Sequence, residues 1–166
     1  MRIRNTVAAV AIALGCAANP SPSPLAAPAN TDGARGTLFI VGGGTQSPEL
    51  VQRFVDLAGG AGKARIAILP MATSDAVETG AEKKAQLDSL GAQSFVVNVT
   101  RSQADADSVV RLLGTATGIW FPGGDQSLLT AALQGSAALR AIHERYRAGA
   151  VVGGTSAGAA VMSDSM

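Results

Sequence analysis

The stretch that could do chemistry is GTSAG at Gly154–Gly158. It fits the pattern G-x-S-x-G, in which a serine stands on a sharp turn between a strand and a helix and its hydroxyl attacks a carbonyl group. The flanking residues are small for a physical reason, because bulky neighbours at so strained a corner would clash with the adjacent strand and helix. Ser156 is therefore predicted to be a nucleophile. The alternative is a serine that only caps the following helix.

A second glycine-rich stretch, FPGGDQS, ends in residues that could complete such a site. The backbone N–H groups of Gly123 and Gly124 could stabilise the negative charge that develops on a carbonyl oxygen under attack. Asp125 and Gln126 would then lie at the mouth of the site. The alternative is a plain turn in which Asp125 caps the next helix, and this stretch taken alone favours the turn.

An alternation of apolar strands and amphipathic helices must position these two stretches. Strands are predicted at 37–44, 64–75, 94–100, 117–125 and 150–156. Helices are predicted at 47–59, 76–91, 104–116, 126–135 and 136–149, with another beginning at 157. This alternation predicts a parallel sheet with helices on both faces, a three-layer α/β sandwich. Ligands bind beyond the carboxyl ends of such strands, where the glycines and small hydroxyl residues are concentrated.

Composition and charge exclude several classes of protein. The 166 residues suffice for one domain, and the formal net charge of +1 comes with scattered lysines and arginines, so no nucleic-acid partner is expected. No cluster of His, Cys, Asp and Glu has metal-ligand spacing, so no metal is expected. The glycines at 42–44 suggest a dinucleotide site, but Ser47 stands where that motif needs its third glycine. No cofactor is therefore predicted.

The amino-terminal residues 1–18 have the layout of a secretory signal, with two arginines before a short apolar run. Cys16 follows this run in ALGC, which is typical of a bacterial lipoprotein processing site, although Ala13 stands where a larger aliphatic residue is usual. Lipidation of Cys16 and ordinary cleavage after a small residue such as Ala18 both stay open. Residues 19–35 contain four prolines and are predicted to be an extended tether.

The domain is accordingly placed at residues 36–166. We expect an exported bacterial protein that is periplasmic, extracellular or held at the membrane by a lipid on Cys16. Because Cys16 is the single cysteine of the sequence, the domain must be stable without an internal disulfide.

Four segments of this domain, in this order, resemble cyanophycinase and its relatives: GTLFIVGGG, RIAILPMATSD, GIWFPGGDQ and VVGGTSAGAAVMSDSM. Those proteins are serine peptidases related to the aspartate-specific dipeptidase E, with a fold like class I glutamine amidotransferases, which is flavodoxin-like. The resemblance implies Ser156 as nucleophile, an oxyanion hole from the N–H groups of Gly124 and Ala157, and substrate binding by Asp125 and Gln126. It also implies a peptide substrate, either cyanophycin (a β-linked aspartate–arginine polymer) or another acidic peptide. Whether the protein is a dimer stays open.

The resemblance further implies a histidine and an acidic residue after the nucleophile, and little sequence follows Ser156. A serine hydroxyl is a poor nucleophile without a base. The single histidine, His143, is predicted near the end of the helix that leads into the fifth strand. A strand of about six residues then separates it from Ser156 by roughly 20 Å, whereas hydrogen bonds reach about 3 Å. Asp125 without a histidine is a weak substitute.

We therefore expect an incomplete peptidase domain, truncated after its nucleophile and catalytically inactive or nearly so as it stands. The competing class is an exported, non-catalytic domain that uses the same glycine-rich edge to bind a small anion or an acidic peptide.

Overall fold

The computed structural model describes residues 33–163, whose strands form one parallel sheet in the order β1-β5-β4-β2-β3. The strands are β1 (Thr37–Val41), β2 (Arg65–Ile68), β3 (Gln93–Val96), β4 (Gly118–Phe121) and β5 (Val151–Thr155). The helices are α1 (Pro48–Leu57), α2 (Ala76–Ser89), α3 (Asp107–Gly114), α4 (Gln126–Leu133), α5 (Ala137–Arg147) and α6 (Ala157–Ala160). The predicted parallel α/β architecture is confirmed.

The helices begin and end where local chemistry dictates. Ser47 caps α1, accepting a hydrogen bond from the N–H of Leu50 at 3.3 Å, and Ser136 caps α5 in the same way. Gly135, at φ +69°, separates α4 from α5 as predicted, because left-handed backbone is cheap only for glycine.

The strands are shorter than their apolar runs. The second strand was predicted to continue to residue 75, but β2 ends at Ile68. Pro70 has no N–H to donate to a neighbouring strand, so the chain leaves the sheet there. The residues thereby released from the strands form the loops at the carboxyl edge, which is where the site lies.

Two cores lie on opposite faces of the sheet. The core beneath α1 and α2 contains three aromatic rings, Phe39, Phe54 and Trp120, with centroids 4.9 to 6.3 Å apart. Gly153 of β5 makes room for them, since a Cβ there would lie 2.7 Å from the ring of Phe54. The second core lies against the four remaining helices and contains Ile119, Phe121 and Val152 from the sheet.

This division of the helices shapes the carboxyl edge of the sheet. After β1 and β2 the chain turns to the face of α1 and α2, whereas after the neighbouring strands β5 and β4 it turns to the other face. Where adjacent connections diverge in this way, a crevice opens beyond the strand ends, and α/β proteins bind their ligands there. The loops around this crevice hold the candidate site.

Candidate active site

Ser156 stands on a strained turn between β5 and α6. Its backbone has φ 52° and ψ −116°, and it is the single non-glycine residue at positive φ in the described part of the chain. Such a conformation costs about 1–3 kcal/mol and is found chiefly at functional sites. The residue is exposed, and its side chain makes no capping hydrogen bond to α6. The structure therefore argues against the alternative in which Ser156 only caps the helix.

Backbone contacts on both sides hold this turn. The N–H of Ser156 donates to the carbonyl of Val41 at 3.0 Å, which ties the turn to the end of β1. The carbonyl of Ser156 accepts from Ala159 and Ala160, at 2.9 and 3.0 Å. The main chain at Ser156 is thus anchored while its hydroxyl is left exposed, which is the arrangement a nucleophile needs.

The glycines of the GTSAG stretch are required by close backbone packing. A Cβ at Gly154 would lie 2.3 Å from the carbonyl oxygen of Gly158. A Cβ at Gly158 would lie 2.0 Å from the carbonyl oxygen of Phe121 in β4. Neither distance is tolerable for a carbon atom, so α6 can lie this close to the sheet only with glycine at both positions. The spacing of the motif therefore has a steric cause.

The loop after β4 lies beside the serine. A Cβ on Gly123 would be 3.4 Å from the Cβ of Ser156, so these two residues are neighbours. Gly124 has φ +139°, and a Cβ there would meet the carbonyl oxygen of Ala72 at 2.1 Å. That same carbonyl accepts a hydrogen bond from the N–H of Asp125 at 2.7 Å. The loop after β2 therefore fixes the backbone that carries the predicted oxyanion-hole donor.

Two backbone donors remain available at this edge. In the loops and helix caps of residues 33–163, neither the N–H of Gly124 nor that of Ala157 donates to a backbone carbonyl. Free N–H groups beside an exposed nucleophile can stabilise an oxyanion, because their dipoles are already oriented before the charge develops. The oxyanion-hole role of these two donors stays a prediction.

Asp125 and Gln126 lie at the start of α4. The carboxylate of Asp125 accepts the N–H of Ser127 at 2.8 Å and caps this helix. Hydrogen bonds from Ser127 hold the pKa of Asp125 below its ordinary value. The carboxylate is exposed, so the cap leaves part of it open to solvent. The predicted substrate contacts of Asp125 and Gln126 stay predictions.

The loop after β1 forms the opposite wall, and it holds residues that sequence reasoning missed. A Cβ on Gly43 would lie 3.8 Å from that of Ser156. Gln46 donates from Nε2 to the hydroxyl oxygen of Thr155 at 3.3 Å, and its Oε1 accepts from Lys83 at 3.2 Å. A signal for Lys83 did exist, because it stands three residues after buried Gly80 on α2, at helical spacing.

The single histidine is remote from this site. His143 is exposed on α5, and the end of α5 lies against the beginning of β1, since a Cβ on Gly36 would meet the carbonyl oxygen of Tyr146 at 2.4 Å. His143 therefore lies toward the amino edge, whereas Ser156 is at the carboxyl edge. About 16 Å of strand separates the two edges, far beyond hydrogen-bond reach.

Other predicted features fall outside the site or outside the described residues. Cys16, the predicted signal at 1–18 and nearly all of the tether at 19–35 lie outside the part of the chain that the structure describes. No group of His, Cys, Asp and Glu side chains within residues 33–163 could hold a metal ion. Within the same range, every helix is too short or too polar to cross a membrane.

A parallel α/β sheet whose fifth strand runs into a strained, exposed serine defines the class of proteins with a nucleophile elbow. The chain belongs to peptidase family S51, whose family model matches residues 38–166. The cyanophycinase of Geminocystis herdmanii is 33% identical over 138 residues, which cover 80% of this chain and 50% of that protein. The cyanophycinase of Nostoc sp. is 32% identical over 143 residues, covering 82% and 48%. The chain thus spans about half the length of these curated relatives.

Two solved structures share the fold. The crystal structure of a peptidase from an acI-B1 Actinobacterium matches with a TM-score of 0.65 and 25% identity, over 75% of this chain and 55% of that one. A putative peptidase E from Listeria monocytogenes matches with a TM-score of 0.55 and 22% identity, over 74% and 59%. The second likeness shows the fold alone, and the fold it shows is the one described above.

Proposed function

We propose that this chain carries the nucleophile of a serine-type peptidase and that Ser156 attacks the peptide carbonyl. The backbone of Ser156 carries the proposal, because it is held at φ 52° and ψ −116° while its hydroxyl is exposed and caps no helix. A catalytic role accounts for backbone strain at a serine whose hydroxyl makes no structural hydrogen bond. Membership of peptidase family S51 supports the same conclusion.

In the proposed reaction, Oγ of Ser156 bonds to the carbonyl carbon and its proton passes to a base. The carbonyl oxygen becomes negative and is stabilised by the N–H groups of Gly124 and Ala157. One such donor is worth about 2.7–4 kcal/mol in the transition state. The C–N bond then breaks, the amine leaves with the proton, and an acyl ester remains on Ser156. Water hydrolyses this ester, which releases the acid and restores the hydroxyl.

The base in this scheme is proposed to come from sequence outside residues 33–163. His143 is at the wrong edge, and Asp125, which caps α4, is a weak substitute without a histidine. Without a base the hydroxyl stays protonated and attacks slowly. We therefore propose that the described residues, by themselves, do not turn over substrate.

An acidic peptide is proposed as the substrate, with cyanophycin as the first candidate, because curated relatives are cyanophycinases. Asp125 suits such a polymer. Its exposed carboxylate is ionised at neutral pH, as an ordinary aspartate is, so it can bind the guanidinium of an aspartyl-arginine unit.

The experiment compares the 166-residue chain with the product of a reading frame continued downstream of Met166. Both are treated with a fluorophosphonate probe and assayed for release of aspartyl-arginine dipeptide, with Ser156→Ala as control. We expect the continued frame to encode a histidine and an acidic residue, and the longer product alone to be labelled and active. Labelling and turnover by the 166-residue chain would contradict the missing base. A stop codon directly after Met166, with binding of acidic dipeptides and no cleavage, would favour the non-catalytic binding domain.

Export is proposed on the sequence of residues 1–18, with lipid attachment at Cys16. Metabolic labelling with a radioactive fatty acid, followed by membrane fractionation, tests it against a Cys16→Ser variant. We expect label in the unaltered chain and none in the variant. A mature chain without label that begins after Ala18 would show ordinary cleavage instead.

A further inference from the structure

Lys83, a partly buried lysine on α2, lies close to the candidate site. Its amine lies 5.0 Å from the centre of the Trp120 ring and donates to the side-chain oxygens of Gln46 and Gln86, at 3.2 and 2.6 Å. Within residues 33–163 it forms no ion pair, and burial lowers its pKa below the ordinary value. Removing a lysine ammonium from water without a carboxylate partner costs folding free energy. A role for Lys83 at its position would account for this cost.

Hydrogen bonds through the amide of Gln46 connect Lys83 to the residues beside the serine. An ammonium group has only donors, so the amide oxygen of Gln46 must face Lys83 and the amide nitrogen must face away. That nitrogen donates to the carbonyl oxygen of Gly44 and, at 3.3 Å, to the hydroxyl oxygen of Thr155. Both groups accept at these contacts, so Lys83 determines which way the amide of Gln46 points.

Both acceptors adjoin the nucleophile. Thr155 immediately precedes Ser156 and is buried at the end of β5. Gly44 follows Gly43, whose Cβ position lies 3.8 Å from the Cβ of Ser156. The loop at Gly43 and Gly44 has left-handed backbone, with φ +137° and +74°, and glycines have little to hold them in place. Gln46 is therefore the side chain that binds this loop to β5.

We infer that Lys83 is a positioning residue, which acts through Gln46 to fix the loop at 42–44 and the hydroxyl of Thr155 around Ser156. The inference rests on the proposed role of Ser156 as nucleophile. Lys83 does not touch the serine. It sets the orientation of the Gln46 amide, and that amide joins the loop after β1 to the end of β5. These are the two segments beside the serine.

The test uses two variants, each of which removes the hydrogen bonds on one side of the Gln46 amide. Lys83→Met keeps the length and the cover over Trp120 but removes the donor. Gln46→Glu keeps an acceptor for Lys83 and removes the donor to Gly44 and Thr155. Lys84→Met is the matched control, since Lys84 is the adjacent lysine, pairs with Asp88 and contacts neither segment.

The first readout is the NMR order parameter of the Gly43 and Gly44 amides, which needs no catalysis. We expect values of about 0.85 in the unaltered chain and in Lys84→Met, and values below about 0.6 in Lys83→Met and Gln46→Glu. Unchanged values in the last two variants would overturn the inference. A loss of order throughout the sheet in Lys83→Met, with Gln46→Glu unaffected, would also overturn it, because Lys83 would then serve only the core.

The second readout is the rate of fluorophosphonate labelling of Ser156 in the longer product. We expect it to fall about tenfold in Gln46→Glu at an unchanged melting temperature, since misplacement by about 1 Å can cost up to about 10²-fold. An unchanged rate would overturn the inference. Absence of labelling in the unaltered product would instead refute the proposed function, and the order parameters would still decide whether Lys83 fixes the loop.

Discussion

The backbone strain at Ser156 predicts that glycine at this position gives a more stable protein than alanine does. Ser156→Gly and Ser156→Ala both lack the hydroxyl, so their difference isolates the backbone. At φ 52° a residue with a Cβ is strained by about 1–3 kcal/mol, whereas glycine costs about 0.5–1 kcal/mol in unfolded-state entropy. We therefore expect Ser156→Gly to be more stable than Ser156→Ala by about 1 kcal/mol. In melting temperature this is about 3–5 °C for a domain of this size.

Urea unfolding followed by the fluorescence of Trp120, the single tryptophan of the sequence, measures this difference. Ser108 on α3 is the matched control, because it is exposed on a regular helix. There Ser108→Gly should be less stable than Ser108→Ala by up to about 1 kcal/mol, the ordinary helix penalty of glycine. The glycine variant should thus be the more stable member of the pair at position 156 and the less stable member at position 108. If Ser156→Gly is the less stable member of its pair, Ser156 is unstrained and the structural basis of the nucleophile assignment fails.

Three further changes have defined outcomes. Gly158→Ala puts a methyl group 2.0 Å from the carbonyl oxygen of Phe121 and should destabilise the fold by about 1–3 kcal/mol, measured by urea unfolding. Gly124→Ala, whose methyl would meet the carbonyl oxygen of Ala72 at 2.1 Å, should displace the proposed oxyanion donor and abolish labelling of Ser156 in the longer product. Asp125→Ala should lose stability at neutral pH. The pKa of the Asp125 carboxyl is lower in the folded state than in the unfolded state. The stability that Asp125 contributes is therefore fully present above the unfolded pKa of about 3.9 and is lost as the pH falls through the folded pKa. The difference in melting temperature between parent and variant should therefore be largest at neutral pH and shrink as the pH is lowered into the acidic range, which melting curves at a series of falling pH values measure.

The elements that form the sheet were predictable because their signals are local. Every strand and helix was predicted in the right order, and Gly135 was recognised as the break between α4 and α5. Strand ends were predicted too late, as at β2, because a strand ends where its pairing with neighbours ends, and pairing is not visible in an apolar run. The corner at Ser156 was recognisable because steric needs fix glycine at 154 and 158.

The contacts that assemble the wall beside the serine were not predictable in the same way. Gln46 meets Thr155 across 109 positions of sequence, and Lys83 meets Gln46 across 37. Each is an ordinary polar residue in its own segment. Only the strand order, with β1 next to β5, brings them together, and no local pattern reveals strand order.

The strand order also bears on how the protein is made. Within the described residues, β1 is hydrogen-bonded only to β5, and β5 joins it to the remaining three strands through β4. Among these five strands a ribosome delivers β1 first and β5 fifth, so β1 has none of the other four to pair with until β5 emerges and inserts between β1 and β4. Pairing across so large a sequence separation forms late. The turn at Ser156 follows β5 directly and depends on contacts with β1 and with the loop after β4, so it takes shape only when β5 has inserted between β1 and β4. The strained conformation of Ser156 is therefore absent from the nascent chain until these distant segments have paired.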